Sequence, residues 1–78
     1  MMNIYIKDTL SEMATAFECV KNYKEDGNPL CLLTAGGHRD RAYRDLFAGK
    51  KWISDEEWKI WEEIYWDFYW DLSDYVLE

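Results

Sequence analysis

One histidine (His38), three serines (Ser11, Ser54, Ser73) and two cysteines (Cys19, Cys31) are the side chains in this sequence that could serve as base, nucleophile or soft metal ligand. A catalytic serine needs a histidine and an orienting carboxylate around it, and phosphoryl chemistry needs a glycine-rich phosphate loop. Neither pattern is present: Ser11 and Ser54 stand at helix-start positions, and no phosphate-loop spacing occurs. Two cysteines and one histidine at these spacings are too few for a structural zinc site. Glu63, Asp67 and Asp71 would project from a straight helix, so they would hold a divalent cation only weakly. The expectation is therefore a protein with no catalytic residues, no metal and no cofactor, in short not an enzyme. The two cysteines read as reduced thiols, since secreted mini-domains of this size carry four to eight.

What remains is charge and aromaticity. Residues 52–78 hold nine acids, one lysine and all five tryptophans, a net charge of −8, whereas residues 1–51 balance eight Lys/Arg against seven Asp/Glu. His38-Arg39-Asp40 spells the catalytic tripeptide of protein kinases, but the match stops at three residues and the 78-residue chain lacks a kinase's length and loop.

A helix must position the acidic segment. Ser54-Asp55-Glu56-Glu57 is a capping box with acids at the positive end of the dipole, and no Gly or Pro follows. The helix is predicted from Asp55 close to Leu77, about 35 Å long at 1.5 Å per residue. At 100° per residue, Trp58, Trp61, Ile64, Tyr65, Phe68, Leu72, Tyr75 and Val76 share one arc that should pack on the rest of the domain. Glu56, Glu63, Asp67, Asp71, Asp74 and Glu78 form a second, acidic stripe. Trp66 and Trp70 fall outside the core arc and border that stripe, with Tyr69 at the margin toward the core. Carboxylates at i and i+4 repel by a few tenths of a kcal/mol, and acids in the last turns oppose the dipole. Helix stability alone does not favour this placement, so a binding role for the stripe and its two tryptophans is the working expectation.

The first 51 residues supply the scaffold. Met2–Lys7 alternates Ile4 and Ile6 with Asn3, Tyr5 and Lys7, a short strand or extended arm. Thr9-Leu10-Ser11-Glu12 reads as a capping box, followed by a stripe of Leu10, Met13, Phe17 and Val20 with Ala14, Ala16 and Tyr23, ending at Gly27. Asn28-Pro29 opens either a short helix over Leu30–Ala35 or a strand, the helix being slightly favoured. Gly36-Gly37 breaks the chain, and a last short helix runs from His38 to Ala48, with Ala42, Tyr43, Leu46 and Phe47 inward and Arg39, Arg41 and Arg44 outward, stopped by Gly49. The fold class predicted is mainly α, one domain over residues 1–78, a small bundle of three to four helices. The alternative is α+β with a two-stranded sheet of residues 2–7 and 30–34.

Direct nucleic-acid binding is excluded by the charge, and no apolar run is long enough for a membrane span. The N-terminus lacks the features of a signal peptide, so a cytoplasmic protein is expected. The partner expected is a protein with a basic surface, a nuclease or nucleoprotein complex, met by Glu56, Glu63, Asp67, Asp71, Asp74, Trp66 and Trp70. In size, acidity and lack of chemistry, though in no motif, the chain is similar to phage-encoded blockers of bacterial defence such as anti-CRISPR and anti-restriction proteins. That resemblance implies an inhibitor working in the cytoplasm of a bacterial host. An immunity protein or antitoxin against a basic nuclease needs the same charge pattern. A structural homodimer with Trp66 and Trp70 at its contact is the third expectation.

Overall fold

A computed structural model of the chain describes residues 3–75. Three helices, α1 (Ile4–Asp26), α2 (Leu30–Gly49) and α3 (Asp55–Leu72), follow one another, with a 3-10 turn at Lys50–Trp52 before the last. The mainly helical domain is as expected, and no strand occurs among the described residues. The sheet alternative is overturned, because residues 4–7 and 30–34 both begin helices.

Helix α1 starts well before Thr9. Asn3 is its N-cap, its side chain accepting the Ile6 amide at 2.9 Å, which satisfies one of the orphan donors of the first turn. Ile6 then continues the stripe to Thr9, Ala16 and Val20, all buried, so the isoleucine spacing that suits a strand serves a helix instead. Thr9 is not a cap. It is 1% exposed, its hydroxyl donating to the Tyr5 carbonyl at 2.8 Å and lying 3.4 Å from the Ala42 carbonyl of α2. Glu12 does not fold back on Thr9 either, but crosses to His38 of α2. Gly27 ends α1 as expected, at φ 71°, donating to the Tyr23 carbonyl. Asn28 then accepts the Leu30 amide at 3.0 Å and Pro29 leads into α2.

Gly36-Gly37 does not break the chain; α2 passes through it as one helix of 20 residues. A glycine inside a helix costs about 1 kcal/mol, which the burial of Leu32, Ala35, Ala42 and Leu46 on one face offsets. Gly49 does close α2, for a reason other than a left-handed turn. A Cβ at Gly49 would stand 2.9 Å from Tyr5 Cβ and 3.2 Å from Asn3 Oδ1, so only glycine lets the start of α1 approach there. Gly49→Ala is accordingly expected to destabilise the domain by about 1–3 kcal/mol, read as a lower urea midpoint with an unchanged slope.

The helices run up, down and up. Thr9 faces Ala42 and Glu12 faces His38, making α1 and α2 antiparallel. Trp58 meets Phe47, Tyr65 meets Tyr43, and Arg39 covers Tyr69, so α3 returns antiparallel to α2. Small side chains (Ala16, Ala35, Ala42) are buried between α1 and α2, and large rings separate that hairpin from α3. The result is an elongated bundle of 41 × 20 × 17 Å.

Arg39, expected to point outward, is instead 8% exposed. Its guanidinium lies 4.7 Å from the Tyr69 ring centroid and donates to Asp40 Oδ1 at 3.2 Å from both Nε and Nη2, which keeps a buried charge paired. The α3 core arc holds for Trp58, Tyr65, Phe68 and Leu72, which are buried, while Trp61 and Tyr75 are half-buried and Ile64 is exposed. Leu10 and Phe17 of α1 are also partly exposed, Phe17 resting edge-on against Phe68 at 5.3 Å.

Ser54 caps α3, accepting the Glu57 amide at 3.1 Å, but the helix stops at Leu72, short of the expected Leu77. Ser73 donates its hydroxyl to the Trp70 carbonyl at 2.8 Å, and Asp71 and Asp74 crowd the negative end of the dipole without a basic residue in the last turn. Val76, Leu77 and Glu78, and Met2 at the other end, lie outside the described residues.

Candidate protein interface

Five of the six stripe carboxylates can be placed: Glu56, Glu63, Asp67 and Asp71 are exposed at helical positions on the side of α3 turned away from Tyr65 and Leu72, and Asp74 is exposed in the turn that follows the helix. Glu78 lies outside the described residues. Ser54 fixes the start of the helix and Phe68 and Leu72 fix its rotation, so the acids face solvent because the opposite side is committed to the core. Asp71 has a second environment. It lines, with Lys21, Lys24 and Phe17, a cleft of about 250 Å³ between the ends of α1 and α3. Glu63 and Asp67 are therefore the purer members of the stripe.

Trp66 is 42% exposed and Trp70 65% exposed, and neither hangs loose. Tyr43 and Tyr65 are in contact at 5.0 Å, Trp66 stands 6.2 Å from Tyr43 and 5.3 Å from Tyr65, and Tyr69 bridges Trp66 to Trp70 at 5.2 Å each. A chain of rings thus extends from the core to the edge of the acidic stripe. Tryptophans braced in this way lose little side-chain freedom on binding, a property of interface anchors.

One apolar residue of this face escaped the sequence reading. Ile60 is 58% exposed and its helical position falls within the acidic stripe, with Ile64 at the margin opposite the tryptophans. The acids are therefore bounded by apolar side chains on both sides. The signal was available, since Ile60 lies about 160° from Trp58 and Trp58 marks the core arc.

Tyr65 anchors this array from inside. Its ring is buried and its hydroxyl donates to the Arg39 carbonyl at 3.4 Å. Burial pushes the phenol up from 10.0 to about 12, against the lowering effect of the Arg39 charge. Because the folded value is raised, the unfolded chain ionises first as pH climbs past 10, and the stability Tyr65 contributes is lost between pH 10 and 12. The expected loss is on the order of 2 kcal/mol across that window, seen as a falling melting temperature. Tyr65→Phe should flatten this part of the profile.

Among the described residues no group of three or more His, Cys, Asp and Glu is arranged to hold a metal ion, and no helix is long and apolar enough to cross a membrane. His38 Nδ1 is paired with Glu12 between α1 and α2. No protein family, curated protein or solved structure matches this chain.

Proposed function

We propose that this protein is a non-catalytic inhibitor that uses the exposed side of α3 to cover a basic, nucleic-acid-binding surface on a partner protein. The observation that carries the reading is the exposed acidic face, interrupted by Ile60 alone among the apolar side chains of its arc, opposite the packing face and edged by the braced Trp66 and Trp70. Glu63, Asp67 and Asp71 recur about every 6 Å along the axis, against roughly 3.4 Å per phosphate in a DNA strand. Charge density is thus near half that of a strand, enough to steer an encounter with lysines and arginines but not to supply all the affinity. The tryptophans and Ile60 supply the remainder by burying apolar area. The partner is a nuclease or nucleoprotein complex, and the setting is the cytoplasm of a bacterial host, as for the phage-encoded blockers that the chain resembles in size and acidity.

Affinity capture from bacterial lysate at low and at half-molar salt, read by mass spectrometry, tests this. The expected result is a nucleic-acid-binding protein retained at low salt and released at high salt, where screening shortens to about 4–5 Å. Recovery of only nonspecific proteins at both salt concentrations contradicts it. Once a partner is captured, Trp66→Ala is expected to weaken the complex by about 2 kcal/mol or more while lowering the melting temperature only slightly, because Trp66 is already half outside the fold.

A homodimer is the second reading, favoured by Ile60, whose exposure in the middle of the charges suits a second apolar surface. Light scattering that reports a dimer at micromolar concentration would support it over the inhibitor.

A further inference from the structure

We propose that Cys19 and Cys31 form an intrachain disulfide site that staples α1 to α2 when the protein meets a disulfide oxidant. The inference rests on register. Helices α1 and α2 are antiparallel, and the Glu12 carboxylate meets His38 Nδ1 across their interface. Cys19 follows Glu12 by seven residues and Cys31 precedes His38 by seven, so each thiol lies two turns along on the same face as a residue already in contact. Because the helices run in opposite directions, both displacements lead toward the Gly27 turn and bring the two cysteines opposite each other.

Packing supplies the second condition. A disulfide requires Cα atoms about 4.4–6.8 Å apart, closer than most helix pairs allow. Ala16, Ala35 and Ala42 are fully buried along this seam, Thr9 Oγ1 reaches the Ala42 carbonyl across it at 3.4 Å, and Gly49 admits Tyr5 at its far end, so small side chains let the two backbones approach closely. Both cysteines are free thiols and half-buried. Burial first, and then the nearness of Cys31, pushes the Cys19 thiol up; the two sulfurs are close enough to sense each other's charge. A thiol held protonated is a slow nucleophile, which slows adventitious oxidation of Cys19.

With glutathione disulfide as oxidant the step balances. One cysteine thiolate attacks a glutathione sulfur, forming a mixed disulfide and expelling glutathione thiolate. The other thiolate then attacks the protein sulfur of that mixed disulfide, closing the Cys19–Cys31 bond and expelling a second glutathione thiolate. Two protein thiols are oxidised, one glutathione disulfide is reduced, and the two protons end on the glutathione released.

The test uses the full chain incubated with glutathione disulfide at pH 8, alkylated and weighed. The expected product is a monomer lighter by two hydrogens, with no alkylatable thiol and with tryptic peptides joined through Cys19 and Cys31. Its melting temperature should rise by roughly 10 °C and return on adding dithiothreitol. Cys31→Ala should take up a single glutathione and show no such rise, and in strong urea closure should slow at least tenfold as the helical register is lost. Two thiols still free, stable glutathione adducts on both cysteines, covalent dimers, or equal closure rates in urea would each overturn the assignment.

Discussion

Phe68→Ala is expected to destabilise the domain by about 3–5 kcal/mol. Phe68 is 3% exposed and joins α3 to α1 directly and to α2 through its neighbour: it meets Phe17 of α1 edge-on at 5.3 Å, and Tyr65, which itself contacts Tyr43 of α2, at 5.9 Å. A 78-residue domain has a total stability of roughly 4–12 kcal/mol, so the variant should be largely unfolded or close to it at 37 °C. Loss of the cooperative thermal transition in circular dichroism is the readout. Trp61→Ala, at a half-buried position of the same arc, should cost clearly less, and a reversal of that order would mean α3 is rotated from the orientation described.

The contrast between those two residues shows what the sequence makes legible. Local signals held where a single chain segment decides the outcome. Gly27 at positive φ, Asn28 before Pro29 and the Ser54 cap are each chosen by backbone groups within a few residues. The rotation of α3 was legible too, because its charged and apolar side chains segregate at a helical period. Six residues at the N-terminus carry no such period, and Asn3 is recognisable as a cap only once Ile6 is seen buried in the core that also holds Leu46. Gly36-Gly37 looked like a break because propensity is local, whereas the burial that overrides it comes from two other helices.

The same limit explains the site. Arg39 is buried because Tyr69, some 30 positions away in the chain, offers its ring face. Asp71 belongs both to the acidic stripe and to a cleft with Lys21 and Lys24, a tertiary fact that no helical wheel contains. Trp66 and Trp70 were placed outside the core by their angular position alone. Their bracing through Tyr43, Tyr65 and Tyr69 had to come from the structure, since it depends on α2 lying beside α3.

The largest expected effect on binding belongs to the acidic face. Glu63→Lys with Asp67→Lys reverses two exposed charges that take no part in the Asp71 cleft. The fold should tolerate the change, because lost and gained i,i+4 pairs are each worth only about 0.2–0.5 kcal/mol. Association with a basic surface should not tolerate it, since attraction becomes repulsion at the centre of the contact and steering is lost. The most direct measurement is the dissociation constant of the captured partner for the wild-type protein and this double variant, titrated in parallel from low to half-molar salt. The account predicts at least about a hundredfold weaker binding for the variant at low salt, mainly in the on-rate, with the two proteins converging as salt is added. Equal affinities across the whole salt range, with the variant folded, would contradict it and leave the stripe as a solvated face.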